Sequence, residues 1–411
     1  MVVKFPRLED INLAGKTVLV RTDLNVPMQG GKVTDNTRIV RLLPTLNYLI
    51  KKKCRIVLLS HFDRPGGKFV PSLSLAPLVD ALSDAMDGQP IQFGVDCIGP
   101  AAREAVARLK PGEIVLLENL RFHPEEQSGD VPFARELASL GDVFINDAFS
   151  ASHRKHASVT GISAFLPVVA GRLMEQELTA ITTIFTQAKS PITAIVGGSK
   201  ISTKLELLES LVSKVDNLVI GGAMANTFLA AEGHAVGKSL IELKLKTTAK
   251  RILDTAKKQK CRVILPTDVI VGETLASHQT TSAVRADEIP ATQMVLDVGN
   301  ETLRSIFDCL AESKTVIWNG PMGAFETRPF DVSTLMIARE IARLTGSGKI
   351  KSIAGGGDTV AALSISGLSN SFSYISTAGG AFLEWLEGKT LPGVAVLLDA
   401  KAAPRKKQES A

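Results

Sequence analysis

Short apolar runs rich in β-branched residues punctuate the chain at Thr17–Val20, Arg55–Leu59, Ile114–Leu117 and Val143–Ile145. They resume at Ile192–Val196, Leu218–Ile220, Arg262–Leu265, Thr315–Trp318 and Ser352–Ala354. Between most of them lie stretches whose apolar positions repeat at helical period: Arg38–Lys53, Lys204–Lys214, Leu243–Lys258 and Ser333–Leu344. Strand, helix, strand repeated in this way predicts parallel sheets covered by helices. Gly171–Ala188 breaks the alternation, because Leu173, Leu178, Ile181 and Ile184 mark one helical face without an adjoining strand. The pattern therefore predicts two doubly wound, Rossmann-like α/β lobes joined by a helix over 171–188, with strands 1–170 on one side and 189–390 on the other.

At 411 residues the chain exceeds the roughly 250–300 over which one core keeps growing, which agrees with two lobes. No window approaches the 18 or so consecutive apolar residues of a membrane span; the most apolar stretches, Ile56–Leu59 and Val394–Leu398, have strand length. The opening MVVKFPRLED has no apolar leader segment, so no export route is expected. Four widely spaced cysteines, Cys54, Cys97, Cys261 and Cys309, include no C-x-x-C and no histidine at ligand spacing, which predicts free thiols in a reducing cytoplasm and no structural zinc. Of the net charge of +5, residues 401–411 carry four basic and one acidic residue. The tail AAPRKKQESA reads as a solvated terminus, so neither a nucleic-acid nor a membrane partner is expected.

Several runs end in an abrupt polar or glycine cluster, where open parallel sheets bind ligands. The first half supplies Arg21, Arg38, His61, Arg64, Arg121, His153, Arg154 and His156, most of them just after a strand. One such arginine is ordinarily a solvated charge; the choice repeated over five loops predicts a small substrate with several negative charges. Asp23 and Asn25 in RTDLNVP would orient its hydroxyls. The second half supplies glycines: Gly197-Gly198, Gly221-Gly222, Gly320, Gly323 and Gly355-Gly356-Gly357. Glycine turns before helices admit phosphate oxygens to backbone N–H groups. In AGGGDTVAAL, Asp358 either caps the helix or binds Mg²⁺, and Thr359 follows. Walker A fails, since GHAVGKS is one residue short, and the dinucleotide pattern fails at Val360. A dinucleotide oxidoreductase is therefore disfavoured.

RTDLNVP, ENLRFHPEE, GGSKISTK, WNGP with Glu326, GGGDT and LEWLEGKTLPGV resemble the motifs of the phosphoglycerate kinases in order and spacing, from about Arg21 to Gly393. The resemblance implies a hinged, monomeric, cytoplasmic kinase. It would move the acyl phosphate of 1,3-bisphosphoglycerate to MgADP, reversibly, with Mg²⁺ as cofactor. It assigns 1–170 with 391–411 to a basic 3-phosphoglycerate lobe and 189–390 to a nucleotide lobe. On this reading Arg21, Asp23, Asn25, Arg38, His61, Arg64, Arg121 and Arg154 bind substrate. Gly197, Gly198, Lys200, Lys204, Gly222, Asn319, Glu326, Gly356, Gly357, Asp358 and Thr359 bind nucleotide, Asp358 through the metal. Arg38 and Lys204 are the charge-stabilising catalytic pair, and the helix near 171–188 and the segment Leu296–Gly299 are the hinges. The alternative is a non-catalytic nucleotide-binding protein of the same fold.

Departures from the family pattern are Asp63 for a glycine in SHFDRP, Ala378 for a glycine in STAGGA, Asn300 for a proline, and Ser199, Ile201 and Ser202 around the retained lysines. If position 378 requires positive φ, alanine there is strained.

Overall fold

The computed structural model describes residues 4–400, apart from the side chains of residues 184–186. Ile184 and the basic tail 401–411 thus lie outside the described residues. The chain divides into two compact units, one of residues up to Thr182 together with those from Thr390 onward, the other Thr183–Lys389. The division falls inside the helix Arg172–Gln187, on the segment where strand alternation lapses.

In the first unit β1 (Thr17–Arg21) is followed by a two-residue hairpin, β2 (Met28–Gln29) and β3 (Lys32–Val33). Then come β4 (Arg55–Leu59), β5 (Ile91–Gly94), β6 (Ile114–Leu117), β7 (Val143–Asn146) and β8 (Val168–Ala170). The six longer strands form one parallel sheet in the order β5-β6-β4-β1-β7-β8. Helices cover both faces, so all five residues of β1 are buried, which is why it reads as an unbroken apolar run. The helix Thr37–Lys51 lays Ile39, Leu42, Leu46 and Leu49 on this core at helical spacing.

The second unit repeats the plan with β9 (Ile192–Val196), β10 (Asn217–Ile220), β11 (Arg262–Ile264), β15 (Thr315–Asn319), β16 (Lys351–Gly355) and β17 (Tyr374–Ser376), ordered β11-β10-β9-β15-β16-β17. Between β11 and β15 the chain builds a separate antiparallel sheet, β13-β12-β14, from β12 (Asp268–Gly272), β13 (Ser282–Arg285) and β14 (Met294–Val298). In each parallel sheet the chain leaves the central strand in both directions, at β1 between β4 and β7, and at β9 between β10 and β15. Those switch points open a crevice at the strands' carboxyl ends.

Three features add to the expectation from sequence. The antiparallel sheet was not foreseen, and β13 shows why: none of its four residues is buried. Val394–Leu398 is not strand-like but part of the helix Pro392–Asp399, which buries Gly393, Val394 and Leu397 one turn apart; a short apolar run has the same composition in either form. Leu296–Gly299, expected as a hinge, is strand β14 and the helix cap after it, within the second unit. Among the described residues no helix is long and apolar enough to cross a membrane.

Candidate active site

Four loops leave the carboxyl ends of β1, β4, β6 and β7, and they carry the anion-seeking residues. Arg38, on the first turn of the helix Thr37–Lys51, donates to Asp23 Oδ1 and to the carbonyl of Asn25, both at 2.8 Å. Asp23 is also held by the Ser150 hydroxyl and the Asn25 backbone N–H. The Asn25 side chain accepts from Asp63 N at 2.9 Å, and the Asp63 carbonyl accepts from Arg121 Nη1 at 2.7 Å. The β1, β4 and β6 loops are thereby tied into one frame. Arg64 and Arg154 are exposed, and among the described residues neither side chain has an ion-pair or hydrogen-bond partner. Two buried nitrogens beside them, Arg121 Nε and His153 Nδ1, also lack a hydrogen-bond partner, whereas His156 Nδ1 faces the Glu126 carboxylate at 3.6 Å. A buried polar group without a partner is costly, so this cluster is built for acceptors that come from outside the chain.

Electrostatics correct the grouping of the histidines with the cations. Burial drives the His153 imidazole down to about 4, with Arg154 adding to the effect, and burial likewise lowers His61 against the pull of Asp23. Both rings are neutral at pH 7, so arginines supply the positive charge. Arg21 is engaged internally. It has no exposed surface, and its donors are spent on Ser158 Oγ at 2.8 Å, the Thr22 carbonyl and, at 3.1 Å, His61 Nδ1, with the Glu126 carboxylate 4.0 Å away. In this structure its side chain is turned to its neighbours.

In the second unit the turns after β9, β10, β15 and β16 converge on an open cavity of about 330 Å³ whose wall includes Gly198, Gly222, Leu296, Phe325, Glu326 and Asp358. Gly222 has φ +66°, and a Cβ there would lie 2.6 Å from the backbone of Gly198. Gly320, at φ +100°, would press one to within 2.2 Å of the Gly197 carbonyl. The turns therefore pack backbone against backbone, and the N–H groups of Gly197, Gly222 and Gly320 are spent on the Asn319 carbonyl, the Met322 carbonyl and Thr359 Oγ1. Asp358 lies in the first turn of the helix Gly357–Ile365, preceded by Gly356. Lys204 Nζ is seated on the Gly197 and Asn319 carbonyls at 2.6 and 3.1 Å and on the Asn319 side-chain oxygen. Burial lowers its ammonium to about 8, opposed by Asp358. Lys200 is exposed.

Two nucleotide candidates have their side chains engaged within the turns. Asn319 is 2% exposed, and its side chain is occupied on both ends, accepting from Lys204 and donating to the Gly355 carbonyl at 2.7 Å. Thr359 is fully buried, with Oγ1 accepting from Gly320 N at 2.6 Å. Both hold the turns in place. The apolar wall from Leu240, Leu275, Met294 and Phe325 was missed. Its signal would have been large apolar side chains left in solvent, as Leu240 and Leu275 are.

The sequence profile of the phosphoglycerate kinase family matches residues 8–389. The chain belongs to the phosphoglycerate kinase family. It is 55% identical over 390 residues to the phosphoglycerate kinase of Ruegeria sp. (strain TM1040), covering 95% of this chain and 98% of that one. It is 52% identical over 395 residues to the phosphoglycerate kinase of Granulibacter bethesdensis, covering 96% of this chain and all of the other. The solved phosphoglycerate kinase structure from Coxiella burnetii superposes with a TM-score of 0.87 at 39% identity, covering 97% of this chain and all of the other. Two departures from the phosphoglycerate kinase pattern now have a geometry. Asp63 does adopt a left-handed backbone, φ +49°, whereas Ala378 is not among the positive-φ residues and the strain considered there does not arise. Sequence spacing also understated one contact: among the described residues Asp96, Cys97 and His123 bring ligand atoms within 4.8 Å of one another. Asp96 and His123 already satisfy each other at 2.7 Å, which makes the group a structural pin.

Proposed function

We propose that the first unit holds the three-carbon acid and the second the nucleotide, in reversible transfer of the acyl phosphate of 1,3-bisphosphoglycerate to MgADP, giving 3-phosphoglycerate and MgATP. The observation that carries this reading is the pair of unpartnered nitrogens at Arg121 and His153 beside the unpaired Arg64 and Arg154. Arg64, Arg121 and Arg154 take the substrate's phosphate, with neutral His61 beside them. Asp23 and Asn25 take its hydroxyl and carboxylate end. Arg21 acts behind them.

In the second unit Gly198, Gly356 and Gly357 present backbone N–H groups to the phosphates, Gly197 and Gly222 let the turns that carry them pack closely, Lys200 adds charge, Glu326 meets the ribose hydroxyls, and the apolar wall covers the base. Asp358 would hold Mg²⁺. An exposed carboxylate beside a phosphate site suits an ion that keeps most of its waters and takes substrate oxygens for the rest, and there it would neutralise phosphate charge. A phosphoryl group in transfer spreads negative charge over its equatorial oxygens, so the chain's task is placement and fixed positive charge rather than proton transfer. Arg38 and Lys204 supply that charge. Direct in-line transfer requires the two loaded units to close and exclude water, which would otherwise hydrolyse the acyl phosphate. Both sites lie on one chain, which suits a monomer, and four buried free thiols suit a reducing cytoplasm.

A coupled assay supplying 1,3-bisphosphoglycerate and MgADP tests the reading: ATP forms. Nucleotide binding without ATP formation would move the assignment to the non-catalytic alternative.

A further inference from the structure

The short helix Pro124–Ser128 touches more of the anion-binding frame than its five residues suggest. At its start, Pro124 lies so close to Gly67, in the loop after β4, that a Cβ on Gly67 would sit 2.7 Å from Pro124 Cβ. At its end, Gly129 turns left-handed at φ +72° and leaves no room beside the Lys155 carbonyl, where a Cβ would approach to 2.6 Å. In its middle, Glu126 is fully buried. One carboxylate oxygen accepts from the Ser158 hydroxyl at 2.6 Å and the other from Ser158 N at 2.9 Å. The same carboxylate lies 4.0 Å from Arg21 and 3.6 Å from His156. Arg121 precedes this helix in the β6 loop, and Arg154 precedes Ser158 in the β7 loop.

We propose that Glu126 is a positioning residue that sets the separation of Arg121 and Arg154. It ties the loop carrying one to the loop carrying the other, and through Arg21 it also reaches the β1 and β4 loops. Its hydrogen bonds and ion pairs go to Ser158 and His156 in the β7 loop and to Arg21 at the end of β1. A carboxylate is needed because both partners at Ser158 are donors and Arg21 is a buried cation; an amide would turn one oxygen into a donor and leave Arg21 uncompensated.

The inference rests on the proposed substrate site, and its test separates the two. Michaelis constants for 3-phosphoglycerate and ATP are measured on the full chain for Glu126→Gln, Glu126→Asp, Ser158→Ala and Arg121→Ala. Glu126→Gln raises the constant for 3-phosphoglycerate by roughly fivefold or more and leaves that for ATP within about twofold, Glu126→Asp recovers part of the loss, and Ser158→Ala gives a smaller shift of the same kind. Ser158→Ala removes the hydroxyl that donates to Glu126 and accepts from Arg21, so it loosens the same tie with the carboxylate left in place and decides the matter if Glu126→Gln does not fold. A purely structural residue would lower the active fraction and leave both constants alone. That result, or equal shifts in both, overturns the inference. If Arg121→Ala also leaves the 3-phosphoglycerate constant unchanged, the substrate site itself is misassigned; if Arg121→Ala raises it and Ser158→Ala does not, only the role of Glu126 falls.

Discussion

Lys204 Nζ lies 2.6 Å from the carbonyl oxygen of Gly197 and has no carboxylate as its hydrogen-bond partner. An ammonium held by carbonyl dipoles alone keeps its full charge available to an incoming phosphate, at the expense of a lowered pKa.

Lys204 therefore loses its proton as pH rises through about 8, below the ordinary lysine range, because burial penalises its charged form. The expected pH profile of kcat/KM for the nucleotide falls with an apparent pKa near 8, since free-enzyme ionisations appear in that ratio. Lys204→Arg moves the fall out of the accessible range, and Lys204→Ala lowers kcat by roughly 10²-fold or more with little change in nucleotide affinity. A flat profile in the unaltered chain would remove Lys204 as the titrating charge.

Asp63 places an exposed carboxylate in the frame that joins Asn25 to Arg121, on a backbone with φ +49°. Asparagine tolerates that backbone nearly as well. Asp63→Asn is expected to lower KM for 3-phosphoglycerate by about two- to fivefold in low salt, with the gain shrinking as salt rises. Asp63→Val costs about 1–2 kcal/mol in urea unfolding.

Gly222 is expected to refuse even a methyl group. Gly222→Ala combines a left-handed backbone with a 2.6 Å approach to Gly198, and should cost at least about 2 kcal/mol of stability. Isothermal titration should show weakened ADP binding while 3-phosphoglycerate binding is retained.

Asp297 borders the nucleotide cavity, and burial raises its carboxyl to about 7 despite donors from Ser333 and Val298. Its folded pKa lies above its unfolded one, so the native state binds the extra proton between about 4 and 7. The stability it contributes is complete below that window and is lost as pH rises through about 7. Thermal unfolding temperature should decline across roughly pH 4–7 more steeply in the unaltered chain than in Asp297→Asn; equal slopes would mean the group titrates normally.

Much of this was legible in the chain itself. The runs that became β1, β4, β6 and β9 sit in sheets covered on both faces, so burial imposed apolar residues at nearly every position. The strand-end polar clusters were visible because loops at a switch point are free to be polar. What escaped was set by tertiary context. Arg21 has the same letters around it whether it faces a ligand or Glu126, and nothing local records that it is buried. Asn319 and Thr359 were found as site residues, but not that their hydrogen-bonding groups are consumed internally. The antiparallel sheet earns its place by walling a cavity, a use that requires no apolar alternation in β13.

The helix Pro392–Asp399 belongs to the first unit although it ends the described chain. Gly393 donates its N–H to the Ser152 carbonyl at 2.8 Å, and its own carbonyl accepts from Asn146. Ser152 immediately precedes His153 and Arg154. On the ribosome, the loop that carries Arg154 therefore waits for Gly393, which is synthesised after the whole of the second unit. A nascent or prematurely terminated chain would carry a finished nucleotide unit beside an unbraced anion loop.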